Sequence, residues 1–270
     1  MALPRAHVAL ERALSKRGLA SRREARELIT AGRVSVNGHI VTHPLHPVVP
    51  ERDTLVVDGR PAAARGATRL VAFHKPRGIV TTRHDPEGRR TVFDALGDEG
   101  AGLVAVGRLD LASSGLLLLT NDTQLANWLT DPTIAHTRRY VVTVRGSVSD
   151  EEARRLERGI ECRTREGAEY LRATAVTIHK RSRRETHLIV ELSEGRNREI
   201  RRLFNAIDHE VTRLLRVSFA GIELGDLPPG RWTDVAVPTE FRGRAVESTA
   251  RRRASVDRRR PRRARSGGSG

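Results

Sequence analysis

The segment GRLDLASSGLLLLTND, residues 107–122, carries the strongest local signal in the chain. Its four leucines, residues 116–119, form a short apolar run that is typical of a buried strand and too short to span a membrane. Ser113, Ser114 and Gly115 favour a bend just before that strand. Asn121 and Asp122 end the strand and are suited to cap a helix over residues 123–130. The segment therefore predicts a loop, a buried strand and a capped helix in succession.

Asp110 lies in the predicted loop, two residues after Arg108. A carboxylate close to a guanidinium, on a loop anchored to a rigid core, is typical of a catalytic position. The alternative is an aspartate that accepts hydrogen bonds from its own backbone in a turn. The local pattern is compatible with both interpretations, so the rest of the chain has to separate them.

Other segments carry charged or aromatic residues in a fixed order along the chain. They are HKPRG at 74–78, RRYVV at 138–142, LSEGRNREIRRLF at 192–204, DHEV at 208–211 with RV at 216–217, and GDLPPG at 225–230. Taken with GRLD, they closely resemble the motifs of the RsuA family of pseudouridine synthases. The string NREIRRL is most similar to the RluB-like branch, which acts on large-subunit ribosomal RNA. Ser113 replaces the family's usual threonine, and His74 replaces its usual asparagine.

The resemblance implies roles for individual residues. Asp110 matches the catalytic aspartate, Tyr140 the tyrosine that packs against the target base, and Arg201 the basic residue that pairs with the aspartate. Arg108 is implied to lie in the cleft that faces RNA, and Arg196 and Arg198 of the third motif are included among the RNA-binding candidates. Taken alone, Tyr140 fits ordinary cross-strand packing, and the arginine-rich third motif fits a solvated helix face. Only their order along the chain favours the enzymatic interpretation.

The N-terminal region gives an independent signal. Ser21 and Glu24 have the spacing of a capping box, and they open a predicted helix in which Ala25, Leu28 and Ile29 share a face. Gly32 ends that helix. The following stretch, RVSVNGHIV at 33–41, alternates apolar residues around Asn-Gly, which is a strong hairpin signal.

The string GLASRREARELITAGRVSVNG, residues 18–38, resembles the S4 RNA-binding domain. A small helical adaptor with a merely soluble surface is the alternative. Under the S4 interpretation a basic RNA-binding surface is expected, formed by Arg17, Arg22, Arg23, Arg26 and Arg33.

The formal net charge of +16 over 270 residues is unevenly distributed. Residues 241–270 contain eleven arginines, one glutamate and one aspartate, a net charge of +9 that leaves +7 for residues 1–240. This tail has almost no apolar residues, so we expect it to be disordered. We expect it to add salt-sensitive affinity for phosphates; a solubility feature and a nonspecific ribosome anchor are the alternatives.

Other features limit the class of protein. The single cysteine, Cys162, excludes an internal disulfide and a zinc site with several cysteines. His39, His43 and His46 lie close together without acidic neighbours, so we expect no metal site there. The sequence lacks a P-loop and a dinucleotide fingerprint, and we expect no cofactor. It also lacks a leader and a long apolar segment, which favours a cytoplasmic protein without a membrane partner. We also expect the protein to be a monomer.

The sequence thus predicts an α+β chain in four parts. These are an S4-like α/β RNA-binding module at residues 1–60, a linker at 61–67, a pseudouridine synthase domain with a mixed, largely antiparallel sheet at 68–241, and a disordered arginine-rich tail at 242–270. Strands are expected near residues 70–73, 116–119, 140–144, 173–178 and 188–192, and surface loops at 97–102 and 162–168.

The predicted function is isomerisation of a uridine in ribosomal RNA, or in a ribosome assembly intermediate, to pseudouridine. Large-subunit 23S ribosomal RNA is the favoured substrate. The alternatives are the same reaction on small-subunit 16S ribosomal RNA and a non-catalytic ribosome-assembly factor. The carboxylate of Asp110 has three chemical routes open to it: attack on ribose C1′, attack on the base, or removal of a ribose proton.

Overall fold

The computed structural model describes residues 7–17, 19–20, 22–50, 52–61, 67–164 and 167–241. The chain divides into two compact units, Met1–Val235 and Ala236–Gly270. In the second unit, the amide of Phe241 donates to the carbonyl of Pro238 at 3.2 Å. Residues 62–66 of the linker predicted at 61–67, and the predicted tail from 242 onward, lie outside the described residues. No helix of the described residues is long and apolar enough to cross a membrane.

The N-terminal module pairs two helices with short strands. The helices are α1 (Leu10–Lys16) and α2 (Arg22–Thr30), and the strands are β1 (Val8–Ala9), β2 (Val34–Val36), β3 (His39–Ile40), β4 (Pro47–Val48), β5 (Leu55–Val57) and β6 (Arg60–Pro61). β1 pairs with β4, while the other four form a sheet in the order β3-β2-β5-β6. Ala25 and Ile29 are buried and Leu28 packs against them, as the apolar periodicity predicts. Ser21, the predicted cap of α2, lies outside the described residues.

The Asn37-Gly38 turn forms the predicted hairpin between β2 and β3. Both residues have positive φ, 52° and 86°, as a tight turn joining two twisted strands requires. Asn37 Oδ1 also accepts a hydrogen bond from the amide of Thr54 at 2.9 Å, which ties the turn to the segment before β5.

The second part of the chain is built on a nine-stranded sheet. Its strands are β7 (Leu70–Lys75), β8 (Val104–Ala105), β9 (Ser114–Thr120), β10 (Arg138–Arg145), β13 (Ala175–Arg181), β14 (Glu185–Leu192), β15 (Val211–Phe219), β16 (Ile222–Glu223) and β17 (Trp232–Val235). The order is β13-β14-β10-β15-β9-β7-β17, with β8 beside β9 and β16 beside β15. Among the described pairings, β9 with β15 is parallel and the others are antiparallel. The fold is α+β with a mixed, largely antiparallel sheet, as predicted.

In the described part of the chain, four α-helices accompany this sheet. They are α3 (Val92–Leu96), α4 (Thr123–Thr130), α5 (Asp150–Arg158) and α6 (Glu199–Asn205). Apolar residues of α3, α5 and α6 share one core with the central strands. Helix α4 has the predicted bounds, and the carboxylate of Asp122 caps it by accepting from the amide of Gln124 at 2.8 Å.

Two segments expected to be surface loops differ from that expectation. Residues 162–164 and 167–168 belong to the paired strands β11 (Ile160–Thr164) and β12 (Gly167–Leu171), in which Cys162 is buried. Ile160 and Cys162 alternate as apolar positions, but the charged residues between and after them make this pattern hard to recognise in the sequence. The first part of 97–102 is a 3₁₀ helix, Gly97–Gly100, in which Gly100 is buried.

Candidate active site

The loop that carries Asp110 connects β8 to β9 and is held at several points. The amide of Val106 donates to Leu118 O at 2.8 Å, and that of Ser113 donates to Asp110 O at 3.0 Å. The Thr81 hydroxyl lies 2.9 Å from Leu109 O and 3.3 Å from Leu109 N. These bonds all involve the backbone of the loop and do not engage the carboxylate of Asp110. The Asp110 side chain is 32% exposed and lines a cleft.

Lys75, from the HKPRG motif, supports the loop from beneath. Its side chain is fully buried, and its amine donates to the carbonyl oxygens of Ser113 at 2.9 Å, Asp110 at 3.0 Å and Pro76 at 3.2 Å. Burial lowers the pKa of Lys75 to about 8, while the carboxylate of Asp110 acts in the opposite direction. The amine thus holds the backbone of the catalytic candidate and leaves its carboxylate for the cleft.

The cleft measures about 750 Å³, which is within the usual range for a small-molecule site. The segments that meet there include the GRLD loop, the start of β10, the arginine-rich motif before α6, and β15. Asp110, Tyr140 and Arg108 line the cleft. Tyr140 is 8% exposed and Arg108 is exposed. Residues 30 positions apart in sequence are combined into one site because β10, which carries Tyr140, and β9, which follows the Asp110 loop, both pair with β15.

Two buried arginines flank Tyr140 on the same face of the sheet. Arg216 is directly opposite Tyr140 on β15, and Arg138 precedes Tyr140 by two positions on β10. Arg216 is 3% exposed and Arg138 is 8% exposed. Their guanidinium carbons lie 5.0 Å and 4.7 Å from the ring centre of Phe219, within the range of cation–π interaction.

The third motif places two arginines around Asp110 in different ways. Arg198 Nη1 lies 3.8 Å from Asp110 Oδ2, and this side chain is 55% exposed. Arg201 instead donates to the carbonyl oxygens of Val211 at 2.8 Å and Ala112 at 3.5 Å. Burial lowers the pKa of Arg201, and nearby Arg198 lowers it further, while Asp110 raises it. Among the described residues, the guanidinium within ion-pair distance of Asp110 is that of Arg198, whereas Arg201 holds the loop at Ala112.

Acidic residues shape the same motif. Glu199 is 4% exposed, accepts a hydrogen bond from the amide of Arg196 at 3.0 Å, and has its pKa raised by burial. The guanidinium of Arg196 pairs with Glu194 and, at 2.5 Å, with Glu169 of the β11–β12 hairpin. The charge of Arg196 is therefore partly neutralised within the protein.

The N-terminal arginines also differ from one another. Arg23, Arg26 and Arg33 pair with Glu27, Glu11 and Asp58 respectively. Arg22 is exposed, and Arg17 is half-buried with a hydrogen bond from its guanidinium to the carbonyl of Pro50. Two of the partner acids, Glu11 and Asp58, are distant in sequence from the arginines they pair with. Composition alone therefore did not reveal these pairs.

Sequence reasoning did not single out Lys75, Arg138, Arg216 or Glu199 as site residues. A signal existed for Arg138, because residues two apart on a strand share a face and Tyr140 was already a candidate. For Arg216 the deciding fact is its pairing with Tyr140 across two strands, which local sequence does not contain.

Comparison with known proteins gives consistent results. Residues 69–206 match the family model of RNA pseudouridylate synthase, and residues 10–52 match that of the S4 domain. Ribosomal large subunit pseudouridine synthase B of Salmonella typhimurium is 40% identical over 242 residues, which cover 87% of this chain and 82% of that protein. The protein of the same name from Escherichia coli K12 is 40% identical over 232 residues, covering 84% of this chain and 78% of that protein.

A solved structure described as a pseudouridylate synthase has the same fold. It superposes with a TM-score of 0.61 at 24% sequence identity, covering 85% of this chain and 96% of that chain.

Proposed function

The chain belongs to the RNA pseudouridylate synthase family, and on that premise we propose that it isomerises a specific uridine of large-subunit 23S ribosomal RNA to pseudouridine. The observation that carries the proposal is the shared cleft of Asp110 and Tyr140, with guanidinium groups around it. The substrate is inferred from the names of the relatives, which are large-subunit pseudouridine synthases.

The reaction breaks the bond between N1 of uracil and C1′ of ribose, turns the base, and joins C5 to C1′. A proton leaves C5 and N1 gains one, so the reaction involves no net redox change. We propose that the carboxylate of Asp110 reacts with the target nucleotide by one of three routes: attack on C1′, attack on the base, or removal of a ribose proton. Each route requires the nucleotide to leave its stack first, as other enzymes that act on bases require.

The remaining site residues are assigned by position. Tyr140 provides the surface on which the uracil stacks. Arg201 holds the catalytic loop at Ala112 and adds positive charge behind Asp110. Arg108 and Arg198, both exposed at the cleft, contact the backbone of the RNA around the extruded nucleotide. Arg196, paired with two glutamates, contributes a weaker contact at the same edge.

We assign RNA binding outside the cleft to the N-terminal module at residues 1–60, through Arg17, Arg22, Arg23, Arg26 and Arg33. The catalytic domain spans residues 68–241, after a linker at 61–67 and before the tail at 242–270. The protein acts in the cytoplasm as a monomer on ribosomal RNA or on a ribosome assembly intermediate.

The test is an assay on unmodified 23S and 16S ribosomal RNA, with pseudouridine mapped by chemical probing. We expect wild type to modify one uridine of 23S RNA and Asp110→Asn to give no detectable product, because an amide is neither a nucleophile nor a base in this role. Asp98→Asn, at an exposed aspartate of the 3₁₀ helix, is the matched control and retains activity.

RNA affinity separates the remaining outcomes. Retained binding by Asp110→Asn, together with lost modification, supports an enzyme. Modification of 16S RNA alone would overturn the choice of subunit. Absence of product with either RNA in wild type, despite tight binding, would favour the non-catalytic assembly factor instead.

A further inference from the structure

Arg138 and Arg216, the arginine pair, place two positive charges in the wall of the cleft. Both are more than nine-tenths buried, and both line the cleft beside Tyr140. Their hydrogen bonds run to backbone carbonyl oxygens: Arg138 Nη1 donates to His136 O at 2.7 Å and Ser193 O at 3.2 Å, and Arg216 Nε donates to Leu116 O at 2.7 Å. Carbonyl oxygens orient these guanidinium groups without neutralising them.

The charge of the pair is not compensated within the described part of the chain. No carboxylate there lies within ion-pair distance of either guanidinium, and Glu199 acts on Arg138 only at longer range. Arg216 Nη2 is buried and has no hydrogen-bond partner among the described residues. Burial lowers the pKa of Arg138, the neighbouring Tyr140 acts in the opposite direction, and Arg216 lowers the pKa again. Buried charges without partners are costly, so a site that keeps two of them is suited to a negative ligand or a negatively charged intermediate.

We propose that the arginine pair binds the carbonyl edge of the target uracil and stabilises the negative charge that the base acquires when it is detached from the ribose. The inference rests on the proposed function and deepens it. Because Arg216 is directly opposite Tyr140 in the sheet, a uracil stacked on the tyrosine lies with one edge near this guanidinium.

The reaction produces a negative charge on the base that nearby cations can stabilise. When the C1′–N1 bond breaks, its electron pair stays on the base and is delocalised from N1 onto O2 and O4. The base remains an anion until C5 joins C1′; C5 then loses its proton and N1 gains one, with no further change in net charge. Preorganised cations in a cleft of low dielectric stabilise that anion without having to reorganise as it forms.

Backbone phosphate is the other anion that the RNA offers. The exposed Arg108 and Arg198 at the cleft are better placed for it, because phosphates stay on the outside of an extruded nucleotide. The buried arginine pair, next to the surface proposed for base stacking, favours the uracil.

The experiment compares two substrates in single-turnover reactions of the full-length protein. An RNA fragment that contains the target uridine is prepared with uridine or with 5-fluorouridine at that position. Fluorine at C5 withdraws electrons and stabilises the uracil anion by itself. The rate of C1′–N1 cleavage is followed as the loss of the starting nucleoside after digestion, by mass spectrometry.

We expect Arg216→Gln to lower the rate about 100-fold on the uridine substrate, the typical effect of removing one preorganised donor. The loss is smaller on the 5-fluorouridine substrate, and RNA affinity stays near that of wild type. Arg216→Lys, which keeps the charge, retains most of the rate. Arg213→Gln, at an exposed position of the same strand, is the matched control and is unchanged.

Other results would overturn the inference. An equal loss on both substrates would mean that Arg216 only positions other groups. A loss of affinity with a reduced salt dependence, at unchanged rate, would assign the pair to phosphate. If Arg216→Gln does not fold, as judged by thermal unfolding, Arg138→Gln is measured against the same expectations. Failure of wild type to modify ribosomal RNA would refute the proposed function itself, whereas an active wild type with an unimpaired Arg216→Gln refutes only this inference.

Discussion

Lys75 connects strand β7 to the loop that carries Asp110 through a single buried amine. An ammonium group without solvent is costly to bury unless its protons are hydrogen-bonded. Here three carbonyl oxygens accept from it, two of which belong to Asp110 and Ser113 at either end of the turn that carries the carboxylate. The position of that carboxylate therefore depends on a residue 35 positions earlier in the chain.

The shifted pKa of Lys75 predicts a pH dependence of stability. The pKa is about 8 in the folded protein and about 10.5 in the unfolded chain, since burial disfavours the charged form. Between these values the unfolded chain holds a proton that the folded protein has released, so the free energy of unfolding rises with pH. The rise amounts to at most about 3 kcal/mol, from 1.36 kcal/mol per pKa unit.

Urea unfolding of wild type and Lys75→Met from pH 7 to pH 10.5 measures this contribution. The difference in free energy of unfolding, wild type minus variant, is expected to be constant below pH 8 and to increase above it. Groups common to both proteins, such as Cys162, whose pKa is raised by burial, cancel in that difference. A difference that is flat across the whole range would contradict the prediction.

At the scale of elements, the parallel contact between β9 and β15 brings the loop that carries Asp110 next to the strand that carries Arg216. Ser114 and Gly115 pair with Leu215 and Arg216 at the point where β9 begins. Gly115 has a φ of +105°, and a Cβ built there would overlap the backbone carbonyl of Arg216 and lie 2.6 Å from its nitrogen. A glycine is required at this position both by its conformation and by the close approach of the two strands.

Gly115→Ala is therefore expected to lower the free energy of unfolding by at least about 2 kcal/mol, because strain and backbone overlap add. Gly102→Ala is the matched control: its φ is +70°, but nothing lies within 4 Å of the added Cβ. We expect that control to lose about 1 kcal/mol from strain alone. Thermal or urea unfolding of both variants measures the difference, and equal losses would show that strand separation accommodates the methyl group.

Local chemistry explains which elements were predictable. Helix α4 was predicted with its observed bounds because Asp122 caps it by bonds to amides two and three residues later. The hairpin of β11 and β12 was not, since its inner positions become recognisable only against the core that Cys162 contacts. A capping signal is contained within four residues, whereas the burial of a short polar hairpin depends on distant elements.

At the scale of the whole molecule, the fold determines which charged side chains are paired. Within the described residues, many arginines pair with acids, including Arg23, Arg33 and Arg196. Residues 242–270 carry eleven arginines against one glutamate and one aspartate, so little internal pairing is available within that segment. A disproportionate share of the nonspecific affinity for RNA is thus expected from the tail.

Removal of residues 242–270 is expected to weaken binding to ribosomal RNA at low salt and to make it less sensitive to salt. Each phosphate contact that is lost lowers the slope of log affinity against log salt by about 0.7 to 0.9. Filter binding of the full chain and the truncated chain from 50 to 300 mM salt measures both slopes. The position of the modified uridine stays the same, because arginine contacts to phosphates do not read the base sequence. Identical slopes would assign the phosphate contacts to the rest of the protein.

The sequence by itself determined the class of fold, the family and the identity of Asp110 and Tyr140 as candidates. These properties depend on short, ordered motifs and on periodicity, both of which are contained in local stretches of chain. The prediction for Arg201 came from its place in a motif, and the structure adds that its hydrogen bonds go to Ala112 and Val211.

Only the tertiary structure decided which groups surround the carboxylate. It placed Lys75 under the loop, Arg198 within 3.8 Å of Asp110, and Arg216 opposite Tyr140. Strand register brings together residues that are dozens of positions apart, and burial decides whether an arginine is a solvated surface charge or an uncompensated one. Neither register nor burial is a property of a local segment, and so these parts of the site became visible only in the folded chain.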